Sequence, residues 1–184
     1  MALKSTIFKV ALNVADLDRH YYADHAFTLA RHPSETDERM MVRVVAFALN
    51  ASEYLKFGSG LSDVELPDLY EDDLTGARQV WIEVGQPDER AILKACGKAR
   101  QVKVYAYSSS VNLWWPPLAK GLQRARNVEV YAFSAGAGSA LAKLAARNMQ
   151  LQCTIQDGNV LLSAMNVVEA EPVSLELVRL NGEG

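Results

Sequence analysis

Three carboxylates are spaced so that a fold could bring them together. Glu83 lies inside the apolar run of WIEVGQPDERAILKAC, Asp68 follows a proline in ELPDLYEDD, and Glu38 stands one turn ahead of Met41 and Val42. If the chain around Thr75-Gly76 is a symmetric hairpin, Asp68 faces Glu83, Tyr70 faces Trp81 and Asp72 faces Gln79. Directly opposed residues leave the same face of a sheet with Cβ atoms about 4.5–5.5 Å apart. Two carboxylates at that separation repel, and one is forced towards protonation unless a cation sits between them. A divalent metal is the usual remedy; the alternative is a solvated pair with Arg78 close by. A one-residue slip would send the two acids to opposite faces. Glu38, at the head of an apolar stripe, is either a third acid of the same site or a first-turn carboxylate complementing a helix dipole. Arg90, Lys94 and Lys98 follow at i, i+4 and i+8, one basic stripe that either tracks phosphates or faces solvent.

Other candidates carry less. FSAGAGSALAK has Gly136 and Gly138 between strand-like and helix-like stretches, but position 141 is Leu and no GK[ST] follows, so a strand-to-helix loop with Ser139 as N-cap is the reading. Trp114 and Trp115 precede two prolines and read as packing anchors before base-stacking platforms. His20, His25 and His32 lack metal spacing, and Ser108, Ser109 and Ser110 have no histidine partner for a hydrolytic triad.

The elements that must position these residues follow from periodicity and turn chemistry. Residues 6–31 read as two strands around Asp16–Arg19. A helix follows with Ser34 as N-cap, a buried stripe of Met41, Val45 and Ala48, and Arg39 and Arg43 on its flank. A short strand at 53–58, the Thr75-Gly76 hairpin and a helix from Pro87 to about Ala99 come next. QVKVYAYSSS and NVEVYAFSAG echo one another, each a strand followed by a helix (Trp115 to about Arg126, Ser139 to about Asn148), which implies parallel neighbours with right-handed crossovers. Asp157-Gly158 marks a tight hairpin, and VSLELVRL alternates as a half-buried final strand. The order β-β-α-β-β-β-α-β-α-β-α-β-β-β predicts an α/β fold on a mixed sheet, as one domain over 1–184.

The 184 residues carry a net charge of −3, with 49% apolar and 22% charged side chains, which argues against bulk attraction to a polyanion and leaves room for a local basic face. Cys96 and Cys153 have no metal or disulfide spacing, and no stretch approaches the roughly 20 apolar residues of a membrane span. A cytoplasmic protein with no membrane partner is the expectation.

These stretches carry a family resemblance. A Pro-Asp pair, then Glu-x-Gly at the end of the next strand, with a glutamate in the preceding helix, is similar to the PD-(D/E)XK nuclease core. More closely, MALKSTIFKVALNVADLDR, TLARHPSETDERMM, WIEVGQPDERAILKAC and LQCTIQDGNV resemble the YaeQ family over nearly the whole chain. The resemblance implies a variant of the restriction-endonuclease core with an added antiparallel β-meander built from the N- and C-terminal strands. It makes Glu38, Asp68 and Glu83 the ligands of Mg²⁺ and puts the expected lysine at Gly85. Gln86 or Lys94 would then assist Glu83 in catalysis, and Arg90, Lys94 and Lys98 would bind phosphates. The implied function is a slow or degenerate Mg²⁺-dependent nuclease acting on nucleic acid. The alternative is a non-catalytic module binding nucleic acid or a protein, and Gly85 is the residue that separates the two.

Overall fold

The computed structural model describes residues 3–63 and 65–182. At its centre lies α1 (Asp37–Asn50), in which every residue from Met40 to Ala48 is buried. A helix apolar on all sides has to be enclosed on all sides, and the sheet curls to do so. Its ten strands run in the order β2-β1-β8-β9-β10-β7-β6-β5-β4-β3: β1 (Thr6–Asp16), β2 (Tyr21–Arg31), β3 (Lys56–Phe57), β4 (Leu69–Asp72), β5 (Arg78–Val84), β6 (Gln101–Ala106), β7 (Val128–Phe133), β8 (Asn148–Gln156), β9 (Asn159–Ala164) and β10 (Val173–Arg179). Phe8, Val10, Leu12 and Val14 of β1, Ile82 and Val84 of β5 and Leu151, Cys153 and Ile155 of β8 all join the core around α1. The sheet nearly closes into a barrel. Phe27 of β2 and Phe57 of β3, on the two edge strands, meet at a tilt with ring centres 4.8 Å apart, each against Phe47 of α1.

The outer face of β5, β6 and β7 holds a second core. Trp81, Val102, Val104, Val128 and Val130 pack there against α2 (Glu89–Lys98) and α3 (Val111–Leu122). The expected element order is present in full, and β5, β6 and β7 are parallel neighbours as the echoed sequences require. Asp157 and Gly158 take positive φ in the β8–β9 turn, the geometry an Asp-Gly pair supplies. The terminal strands are not a purely antiparallel meander: β8, β9 and β10 are antiparallel, but β1 runs parallel to β8 and carries the β1–β2 hairpin with it.

Several expected boundaries move, each for a local reason. Thr36, not Ser34, caps α1, because the Ser34 hydroxyl pairs with His32 Nδ1 at 2.6 Å while Thr36 Oγ1 accepts from the Arg39 amide. Asp88, not Pro87, opens α2, its carboxylate accepting from the Ala91 amide at 2.7 Å. Helix α3 starts at Val111 rather than Trp115, so Pro116 and Pro117 fall inside it. The carbonyls they leave unbonded belong to the exposed Asn112 and Leu113, where water can serve them. Helix α4 (Ala137–Ala142) is entered through Gly136 at φ +80°, and Ser139 lies within it. A bulge sets Asp72 opposite Arg78 rather than Gln79.

Arg43 is the main departure. It was expected on a flank, yet it is 1% exposed, with Nε and Nη2 on the Glu35 carboxylate at 2.8 and 2.7 Å and Nη2 on the Ala30 carbonyl at 3.1 Å. Breaking a buried, hydrogen-bonded ion pair leaves a charge with no solvent and costs roughly 3–5 kcal/mol. Arg43→Met is therefore expected to lower the unfolding free energy by about that amount in urea titrations, and Glu35→Leu/Arg43→Met to regain part of the loss.

Candidate functional site

The hairpin puts Asp68 and Glu83 together. Leu69 pairs with Ile82 and Tyr70 with Trp81, so the residue before β4 lies across from Glu83. Asp68 is anchored by its own amide on the Ile82 carbonyl at 2.9 Å and by the Val84 amide on Oδ2 at 2.8 Å. It is 2% exposed. Buried carboxylates demand a cation or several donors, and here Arg39 supplies both. Its Nη2 lies 2.8 and 2.9 Å from the two Asp68 oxygens and 3.2 Å from the Val84 carbonyl. Its Nη1 reaches Glu35 Oε1 at 3.0 Å, so Glu35 joins Arg39 to Arg43 in one buried ladder.

Glu83 accepts from the Trp81 indole N–H at 2.7 Å. Burial, reinforced by the negative charge of Asp68 beside it, pushes its carboxyl up to about 7; the indole hydrogen bond and the Arg39 charge only moderate this. The repulsion expected from the hairpin register is thus present.

Glu38 lies elsewhere. Its Oε2 is 3.0 Å from the point where a side chain on Gly138 would begin, and Tyr107 borders the same spot. It faces α4 rather than the acid pair. Among the described residues, no three Asp, Glu, His or Cys side chains are grouped to hold a metal. As arranged, the donors do not fit a divalent ion: Asp68 is taken by Arg39, and one Glu83 oxygen by the indole.

Four of the expected residues do share a cavity. Glu83, Arg90, Lys94 and Lys98 line a space of about 420 Å³ between β5 and α2, with Trp81, Glu65 and Asp88. Lys98 Nζ stands 5.6 Å from the centre of the Trp81 ring, and Lys94 forms an ion pair with Glu65. Gln86 is not among the residues lining this cavity; its Oε1 accepts from Ser110 Oγ at 3.0 Å, while its buried Nε2 has no partner among the described residues. Trp114 donates its indole N–H to the Pro87 carbonyl at 3.0 Å, an anchoring role.

Gly85 has φ +110°, and its amide bonds the Tyr105 carbonyl at 2.9 Å. The space around it is open, so the backbone, not crowding, is what disfavours a side chain there. The expected lysine position is one that L-residues avoid.

With this geometry in hand, comparison with known proteins places the chain. The family model described as "YaeQ protein" matches residues 1–171. The chain belongs to the YaeQ family. Two relatives, each named "Uncharacterized protein YaeQ", are that of Salmonella typhi, 45% identical over 174 residues (93% of this chain, 96% of the relative), and that of Escherichia coli K12, 43% identical over 165 residues (89% and 91%). The crystal structure of YaeQ from Xanthomonas axonopodis pv. citri superposes with a TM-score of 0.91 at 41% identity, covering 97% of this chain and 99% of that one. The YaeQ crystal structure from Pseudomonas syringae gives 0.91 at 36% identity, covering 97% of each.

In this YaeQ chain, Arg39 and Glu35 are the site residues that sequence reasoning passed over. Their signal was present: Glu35, Arg39 and Arg43 recur at i, i+4 and i+8, so Arg39 and Arg43 share one face of α1 and Glu35, just ahead of its cap, falls in line with them.

Glu83 holds its proton in the folded state up to about 7 but in the unfolded chain only to its ordinary 4.5. Its contribution is therefore harmless at low pH, falls as pH rises through that window, and is fully unfavourable above it. Glu83→Gln should be more stable than wild type at pH 8 by on the order of 1–3 kcal/mol, with the gap closing by pH 4 in denaturant titrations. Gly85→Lys should lower Tm, because the strain at positive φ costs of order 1–3 kcal/mol.

Proposed function

We propose that the cavity between β5 and α2 receives a phosphate of a nucleic-acid strand, and that this chain is a non-catalytic nucleic-acid-binding module on a nuclease-like frame. The observation that carries the reading is the convergence of Arg90, Lys94 and Lys98 on one cavity floored by Trp81. Lys94 is paired with Glu65, which leaves Arg90 and Lys98 beside an aromatic ring to combine backbone attraction with a surface on which a base can stack. Glu83 lines the same cavity, and with its proton held up to about 7 it adds little negative charge to oppose a phosphate below neutral pH. Two further features favour binding over cleavage: Asp68 is already neutralised by Arg39, and the position where the nuclease pattern expects lysine is a glycine at positive φ. The restriction-endonuclease likeness of the frame belongs to this proposal and rests on the Pro67-Asp68 and Glu83-Val84-Gly85 pattern.

A second reading, slow Mg²⁺-dependent phosphodiester cleavage at Glu83, is favoured by the close Asp68–Glu83 pair, whose repulsion a divalent ion would relieve. One experiment separates them. Fluorescent single-stranded and duplex oligonucleotides are titrated with the protein at rising salt, with and without Mg²⁺. Binding should weaken steeply with salt, and Arg90→Ala and Lys98→Ala should each lower the salt slope by about 1. The oligonucleotides should stay intact. Mg²⁺-dependent cleavage that disappears in Glu83→Gln would install the phosphodiesterase instead, and absence of binding at low salt would remove nucleic acid as partner and leave a protein partner.

A further inference from the structure

We infer that Arg39 is the built-in cation of the Asp68–Glu83 pair: its guanidinium stands where a divalent ion would, and the pair becomes a metal site only when Arg39 leaves. This does not depend on what the neighbouring cavity binds.

The geometry is that of a ligand shell closed around a side chain. One nitrogen, Nη2, lies within 2.8–3.2 Å of three oxygens: both carboxylate oxygens of Asp68 and the carbonyl of Val84. Glu83, the residue before that carbonyl, feels both the Asp68 and the Arg39 charge. Two carboxylates and a backbone carbonyl are hard oxygen donors, the set that Mg²⁺ and Mn²⁺ take, with water completing the shell. An ordinary acid pair with no cation would attract such an ion. Here the positive charge is supplied from α1.

Arg39 is also held so that it stays. Its second nitrogen, Nη1, is fixed by Glu35 at 3.0 Å, and Glu35 is fixed by Arg43. Arginine suits this place because a guanidinium is charged at every relevant pH, weakly hydrated, and carries donors in a planar fork. The ladder Asp68–Arg39–Glu35–Arg43 balances two negative charges with two positive ones. A divalent ion entering beside Arg39 would meet a like charge at close range, so metal and guanidinium compete for one position.

The test uses the purified full chain and Mn²⁺ alone. Wild type should show no saturable Mn²⁺ binding by electron paramagnetic resonance and an unchanged Tm on Mn²⁺ addition. Arg39→Gln, which keeps an amide donor near Asp68 but no charge, should gain one Mn²⁺ per chain and a Tm that rises by several degrees with metal. The same variant carrying Glu83→Gln should lose that gain. If Arg39→Gln is unfolded without metal, circular dichroism should show Mn²⁺ restoring the fold, as metal binding to the native state alone requires. Saturable Mn²⁺ binding by wild type that is lost in Asp68→Asn would overturn the inference. So would an Arg39→Gln chain indifferent to Mn²⁺, whether folded or not.

Discussion

Enclosing the middle of α1 on every side leaves Arg43, and Glu35 just ahead of the helix, with no route to water, so the two have to satisfy one another. Arg43 and Glu35 do so at the centre of the curled sheet, and the position of nearly everything else follows. Because Glu35 is occupied on one side by Arg43, it presents a fixed oxygen to Arg39 on the other. Arg39 is thereby aimed at the hairpin of β4 and β5. The core and the acid pair are one electrostatic unit, and a change in α1 propagates to Asp68 without passing through any apolar contact. Such buried networks are costly when half-satisfied and rigid when complete.

The hairpin contributes the opposite kind of constraint. Register fixes Asp68 against Glu83, which the electrostatics of the pair alone would avoid. The structure resolves the conflict unequally. Asp68 receives a guanidinium and a backbone amide, whereas Glu83 receives one indole N–H and keeps its proton to about 7. Two chemically similar acids thus acquire different surroundings: Asp68 holds α1 to the sheet, and Glu83 lines the α2 cavity. At Gly85 the chain turns through positive φ on its way to α2, which packs Ile92 and Ala95 in one core with Trp81 and sets Lys98 beside the indole ring.

The balance of charge matters at two scales. The chain as a whole carries −3, yet Arg90, Lys94 and Lys98 line one cavity beside β5 together with Glu65, Glu83 and Asp88, and Lys98 Nζ stands 5.6 Å from the centre of the Trp81 ring. Attraction of a phosphate is set by local potential when the Debye length is about 8–10 Å, so the placement of these cations matters more to it than the net charge of the chain. Among the described residues no helix is long and apolar enough to cross a membrane.

Much of the frame could be read from residues in order. Alternation in residues 6–31 and 173–178, the Asp157-Gly158 turn, and the paired strand-helix echoes each depend on near neighbours, and local steric and hydrophobic periodicity suffices to determine them. The Asp68–Glu83 pairing was also legible, because a hairpin register is a local quantity counted from its turn. What sequence alone left undetermined were contacts between segments far apart in the chain. Whether Arg43 lies on a flank or inside depends on how far the sheet curls, and that is decided by β1 pairing with β8 across most of the chain. Whether Glu38 or Arg39 turns towards Asp68 depends on the rotation of α1 about its axis, since adjacent helical residues point about 100° apart. Packing of Met40 to Ala48 against every surrounding strand sets that rotation, and so it was tertiary structure that gave the acid pair an arginine in place of a third carboxylate.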